Sequence, residues 1–512
     1  MHKLFFQYLP SQCVRRFSER KLSIELTRNV KSTVHNPVLT RDFIFESLYH
    51  KDHGYFSNIS ERLIFQATKA PILNIDQQLL DFSRIEDEVD YVECLHDLYS
   101  NGRHAWGTPV ELYQPWYGRA IADYIINTRD ADKPLIIYEI GGGNGTCALS
   151  VLNYLREYYT PIYDQSHYNI IEVSKALHEI QVERMQDAGH LHHFTSHNLS
   201  VTDWREVIEG EVFIIALEVM DNLPHDKVVI HNNPRAAHPI TQTCVIPKVG
   251  TINSRGDQVY EEVNLPLEDP HIIRYMDYMN KIEHDRELMR SLEPIVLFDE
   301  KDTGYYEGMK DIRPFHGNLF LKALKRIADS AVETFNNSFT QGQTEYYIPT
   351  MQLMMLDVFN CYFPGHRLIL ADFDYLPEAD KDPGIINAPC VQRKYRSLTP
   401  KLDTKKFMQL AKMKYMEGKS IDQTVRENSE TTYVSKSFNS YLVPKGSCDI
   451  FFATDFKQLQ IVYDRLTQGR RGSLVMKNKQ FMEKWARCER TTTKSGYNPL
   501  LKDYGNFSFF LT

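Results

Sequence analysis

The sequence predicts an α/β fold: an open sheet of mostly parallel strands, entered through a glycine-rich turn. Three observations carry this expectation. The apolar runs Leu135–Ile140, Tyr168–Val173 and Val212–Glu218 are each strand-sized. Stretches with helical spacing lie between them, from Thr146 to about Tyr158 and again through Met185. The first run opens directly into GGGNG at positions 141–145. Strands that alternate with helices in this way pair in parallel through right-handed crossovers.

Along the chain, residues 1–17 read first as a mitochondrial presequence. Lys3, Arg15 and Arg16 are accompanied by no acidic residue, and Phe5, Phe6, Leu9 and Val14 supply an apolar side. The Arg15-Arg16-Phe17-Ser18 run places cleavage after Phe17. Residues 18–130 form a helical N-terminal arm, clearest at Leu39–Tyr49 and Trp116–Ile126. Residues 131–262 hold the first part of a Rossmann-like domain and end in a β-hairpin region from about 228. Residues 263–360 are charged and helical with no matching strand, the pattern of an inserted helical cap. Residues 361–512 resume the domain with His366–Tyr375, Asp449–Thr454, a helix at Phe456–Gln468, Ser473–Met476 and Asn506–Leu511. Residues 400–440 are a polar excursion.

Composition removes several classes of function. A net charge of −8 gives no global nucleic-acid footprint. No apolar run approaches the ~18 residues that span a bilayer, so an integral membrane protein is not expected. The eight cysteines include no CxxC pair, the histidines form no HExxH signature, and no metal site is expected. No GxSxG elbow is present.

The chemistry concentrates at strand ends. In Glu139-Ile140-Gly141-Gly142-Gly143-Asn144-Gly145 the glycines let backbone approach a ligand closely. The string is not GxGxxG, because its sixth position is Thr146. A carboxylate two residues before the first glycine repels a pyrophosphate and suits the cationic methionine end of S-adenosyl-L-methionine (SAM). Glu172 ends the second run, where an acid accepts ribose hydroxyls; that alone fits NAD and SAM equally. Glu218 and Asp221 follow the third run, where ligands bind in open α/β folds, and two carboxylates there suit a guanidinium. Trp204 reads as a packing residue.

These motifs resemble the MidA-like methyltransferases, called the complex I assembly factor 7 family in mitochondria. His53-Gly54-Tyr55-Phe56 looks like its "GYY" segment, and Thr108-Pro109-Val110-Glu111 with Gln114 like "TSPE…Q". EIGGGNGT resembles "ELGPGRGT", IIEVSKALHEIQ "EVSPxLxxxQ", ALEVMDNLP "ANEFFDALP", LILADFDY "LLIDYGY" and DIFFATDF "DLTAHVDF". The resemblance implies a SAM-dependent protein-arginine methyltransferase of the mitochondrial matrix. Its implied partner is a respiratory complex I subunit, dimethylated symmetrically on arginine in support of assembly. It also implies that Glu139, Gly141, Gly143 and Gly145 hold the methionine part of SAM and that Glu172 holds the ribose. Glu111 and Gln114 then approach the cofactor from the arm, and Glu218 and Asp221 face the guanidinium. The sequence departs from the family at Gly142, Asn144, Leu217, Phe451 and Ala453. The competing readings are a SAM-binding assembly factor without catalysis and an NAD-dependent oxidoreductase.

Overall fold

The computed structural model describes residues 36–57, 80–100, 108–231, 238–254, 256–279, 343–377, 384–400, 429–469 and 471–512. The expected presequence lies outside the described residues, as do 280–342 of the expected insertion and 401–428 of the polar excursion.

Strands are numbered along the chain: β1 Val38–Leu39, β2 Leu135–Ile140, β3 Ser166–Glu172, β4 Phe194–Asn198, β5 Val212–Leu217, β6 Asp226–His231, β7 Ile240–Ile252, β8 Gln258–Pro266, β9 Gln343–Ile348, β10 His366–Phe373, β11 Ile385–Ile386, β12 Cys390–Pro400, β13 Ser429–Phe438, β14 Asp449–Phe451, β15 Leu474–Lys477 and β16 Phe507–Leu511. The central sheet has seven strands in the order β15-β16-β10-β5-β2-β3-β4. From β10 to β4 neighbours are parallel. β16 runs antiparallel between β10 and β15. Chain order reverses between β2 and β5, which opens a crevice beyond their carboxyl ends.

The strands read as unbroken apolar runs because both faces of the sheet are covered. Ile137, Ile215, Ile369 and Phe509 point into one core with Ile121, Leu152 and Phe481. Tyr138, Ile214, Leu370 and Phe510 point into the other with Leu356 and Val462. The helices Trp116–Thr128, Thr146–Tyr158 and Asn478–Trp485 thus cover one face, and Thr350–Tyr362 and Phe456–Thr467 the other.

A second sheet, β1-β7-β6-β9-β11 with β8 on β7, stands beside the first. It changes the reading of 263–360, which was expected to be helical with no matching strand. β9 pairs with β6, Val228 opposite Tyr346, and the helix Thr350–Tyr362 then leads into β10. The run QTEYYI is polar and aromatic rather than aliphatic, so its strand character rests on partners distant in sequence. Asp449–Thr454, expected to extend the parallel pattern, also differs. β14 pairs antiparallel with β12 in a separate sheet, β13-β12-β14. The chain then crosses the ends of the central strands: the Phe452 amide donates to Asp221 O at 2.8 Å, and the Thr454 amide to Phe373 O at 2.9 Å.

The arm is tied on by a buried ion network. Arg41, on the helix Thr40–Tyr49, donates to Asp226 at 2.5 Å and to both oxygens of Asp269 at 2.8 and 2.6 Å. That anchor brings Phe45 and Tyr49 to the crevice.

Candidate active site

The turn after β2 is shaped by glycine. Gly141, Gly143 and Gly145 have φ of 65°, 53° and 76°, a region that side chains disfavour. The Gly141 amide donates to Ile171 O at 2.9 Å and the Gly145 amide to Gly142 O at 2.8 Å, which folds the turn back on itself. A Cβ on Gly142 falls 2.8 Å from Ile170 Cδ1, whereas one on Gly143 meets nothing within 4 Å. Gly143 therefore borders open space.

That space is a cavity of about 440 Å³ over the carboxyl ends of β2, β3 and β5. It brings together Gly141, Gly143 and the acidic side chains Glu111, Glu139, Glu172, Glu218 and Asp221. Two expected site residues stand apart from its wall. Gly145 starts the helix Thr146–Tyr158, and a Cβ there meets Met185 Cε at 3.4 Å. Gln114 Nε2 donates to Glu111 O at 2.9 Å, so it supports the residue beside the cavity.

The acids differ in their surroundings. Glu139 is buried, accepts the Tyr168 hydroxyl at 2.9 Å, and is pushed up to about 7 by burial and by Glu172 and Glu111. Glu172 accepts the Ser174 amide at 2.9 Å and Gln181 Nε2 at 3.2 Å, yet burial raises it to about 7 as well. Gln181 also donates to Gly143 O at 2.7 Å, coupling the helix Lys175–Asp187 to the turn. Glu111 accepts the Thr146 hydroxyl at 2.6 Å.

A further acidic group forms where β5 ends. Glu218 takes φ 54°, a strained conformation for a residue with a side chain, and its amide donates to Ala371 O at 2.9 Å. The Asp221 amide donates to Asp372 Oδ2 at 2.9 Å. Burial, then Asp372, Asp449 and Glu218, hold the Asp221 carboxyl well above the usual range, and burial pushes Asp372 up to about 7. Asp221 Oδ1 is buried without a hydrogen-bond partner. Asn144 Oδ1 and Thr108 Oγ1, on residues that also line the cavity, are in the same state.

The sequence reading missed Asp372, Asp449, Phe45 and Tyr49. Asp372 had a local signal, an acid inside the apolar run LILADF. Asp449 reaches the cavity only through the β12–β14 pairing, where its Oδ1 accepts Asn222 Nδ2 at 2.9 Å. Tyr49 donates to Asn222 O at 3.0 Å and stacks on Phe56 at 5.5 Å. Trp204 packs as expected, with its ring edge-on to Tyr138. Glu46, His50 and His53 bring potential metal-ligand atoms within 4.8 Å of one another, but Glu46 already pairs with Lys445, and His50 Nδ1 accepts the Asp52 amide.

The cavity fits SAM. Its acids can accept from a cation and from ribose hydroxyls, open space borders Gly143, and the buried Asp221 Oδ1, Asn144 Oδ1 and Thr108 Oγ1 are without partners.

Comparison with known proteins points to the same cofactor class. A 260-residue stretch is 23% identical to "Protein arginine methyltransferase NDUFAF7 homolog, mitochondrial" of Schizosaccharomyces pombe, covering 50% of this chain and 46% of that protein. A Burkholderia thailandensis protein crystallised with S-adenosyl-homocysteine superposes over 98% of this chain and 92% of its own, with a TM-score of 0.47 and 10% identity. Residues 118–472 match the family described as "Putative S-adenosyl-L-methionine-dependent methyltransferase", and the chain belongs to that family.

Proposed function

We propose that this protein methylates arginine in a protein substrate, forming symmetric dimethylarginine, within the mitochondrial matrix and in support of respiratory complex I assembly. The observation that carries this reading is the unpaired Asp221 Oδ1, in an acidic group with Glu218 and Asp449 on the wall of the SAM cavity. The arginine-specific name of the fission-yeast relative supports it.

When bound, SAM supplies an activated methyl group on a cationic sulfur. Glu139, Gly141 and Gly143 hold its methionine part, Glu172 its ribose, and Glu111 closes the cavity from the arm. Gly145 and Gln114 act from behind, by setting the turn and by holding the Glu111 backbone.

Glu218 and Asp221 orient the guanidinium by charge-assisted hydrogen bonds. Holding reacting atoms about 3–3.5 Å apart and in line is worth several kcal/mol. A guanidinium titrates near 12.5–13.8, so its nucleophilic nitrogen must shed a proton as the new bond forms. A carboxylate raised above its usual range is a stronger base than an exposed one, and Asp221 Oδ1 takes that proton.

Comparison of methylarginine between wild-type and deletion mitochondria tests the proposal. Loss of symmetric dimethylarginine from a respiratory-chain subunit is the expected result; an unchanged methylarginine profile contradicts it. The mature protein is expected to begin at Ser18, and an intact Met1 on mitochondrial material contradicts cleavage.

A further inference from the structure

A second cavity, of about 500 Å³, lies beyond the same carboxyl edge of the central sheet. Asp374, Lys477 and Ser508 place it over β10, β15 and β16, whereas the first cavity lies over β2, β3 and β5. Neighbouring positions of the same segments line one or the other. Leu223, Met351, Phe373 and Phe451 line the first; His225, Gln352, Asp374 and Ala453 line the second.

Much of the second cavity's wall is apolar, Leu353, Leu356, Phe456, Leu459 and Val462 among it, beside the charged Asp374, Asp455, Lys457 and Lys477. Two buried polar atoms on residues lining it have no hydrogen-bond partner, His225 Nε2 and Thr454 Oγ1. The residues are 1% and 0% exposed. His225 Nδ1 lies 2.9 Å from Leu223 O, and a carbonyl only accepts, so Nδ1 carries the proton and Nε2 keeps a bare lone pair. Burial lowers this histidine to about 3, and it stays neutral; its ring stacks on Phe452 at 3.9 Å.

Several other polar groups of the lining are already engaged. Tyr275 and Tyr346 both donate to Gln458 Oε1, at 2.5 and 2.7 Å. Asp374 accepts from Lys477 and Ser508, and Asp455 accepts the Lys457 and Gln458 amides. What the cavity lacks is a neutral, apolar group that brings a hydrogen-bond donor to His225. Tyrosine and tryptophan side chains have that chemistry, a large apolar body with one O–H or N–H.

The sheet sets the distance between the two cavities. From β5 to β16 is two strand spacings, roughly 10 Å at about 4.8 Å each, which an extended polypeptide covers in about three residues. We propose that the second cavity receives a tyrosine or tryptophan of the polypeptide acceptor, about three residues from the methylated arginine. This inference rests on the protein-arginine reading above.

Two peptide libraries with randomised flanks, one centred on arginine and one on lysine, test it by capture on the immobilised full-length protein loaded with S-adenosyl-homocysteine. The expected result is preferential retention of the arginine library, with tyrosine or tryptophan enriched about three residues from the centre. Ala453→Phe, which fills the second cavity, should abolish that positional enrichment. Thr454→Val, which removes the hydroxyl, should weaken it. Unchanged S-adenosyl-homocysteine affinity in both variants shows that they are folded. Arginine retention without aromatic enrichment, or enrichment that survives Ala453→Phe, overturns the inference and leaves the arginine reading standing. Equal retention of both libraries overturns the arginine reading and the inference with it.

Discussion

Gly143 is the residue at which backbone geometry and ligand space meet most directly. Its φ of 53° disfavours any side chain, and a Cβ there points into space bordering the cavity. Gly143→Val therefore combines about 1–3 kcal/mol of backbone strain with a branched side chain in the cofactor's place. Calorimetry should detect no SAM binding by this variant, and binding equal to wild type contradicts the site. The turn was legible in the sequence because its parts are contiguous: strand, acid, glycines and helix follow within a few residues. Asp221 was legible by the same local logic. Asp449 was not, and the acid inside LILADF marked Asp372 without its partners, since each joins the acidic group through pairing with a segment far away in the chain.

Among the elements, the helix Thr40–Tyr49 shows how the arm is held to the domain. Phe43, Ile44, Ser47 and Leu48 are buried on one face, and Arg41 inserts between Asp226 and Asp269. Removing the guanidinium leaves two buried carboxylates facing each other, and breaking such a group costs about 3–5 kcal/mol. Arg41→Met should lower stability by that order in chemical denaturation; a loss below about 1 kcal/mol contradicts the anchoring role. The helix itself was readable from its apolar spacing, but its partners were not. β9 is written in tyrosines, and the paired strands β12 and β13 carry no strong apolar run, so their strand character comes from pairing rather than local pattern.

For the whole molecule, the buried acids link cofactor, pH and stability. Glu139 and Glu172 are raised from 4.5 to about 7, and Asp372 from 3.8 to about 7. At these three acids the folded protein thus holds more protons than the unfolded chain from about pH 4 to 7. Their contribution to the stability of the ligand-free protein falls as pH rises through that window, opposed by His190, His225 and His366, which burial lowers from 6.5 to about 4, 3 and 4. A cationic cofactor favours the ionised acids, so its affinity should rise from pH 6 to pH 8, by roughly ten- to a hundredfold for one or two protons released. Calorimetry at the two pH values checks this, and a flat affinity contradicts it. The proposed reaction is methyl transfer to arginine with Asp221 as the base. Its most direct test is transfer of labelled methyl from SAM into mitochondrial extract from deletion cells, with wild type and Asp221→Asn side by side and the labelled residue identified by mass spectrometry. The predicted result is label on arginine with wild type, and at least about a hundredfold less with Asp221→Asn although it binds SAM normally. Equal labelling by the two proteins, or label on another residue type, contradicts the claim.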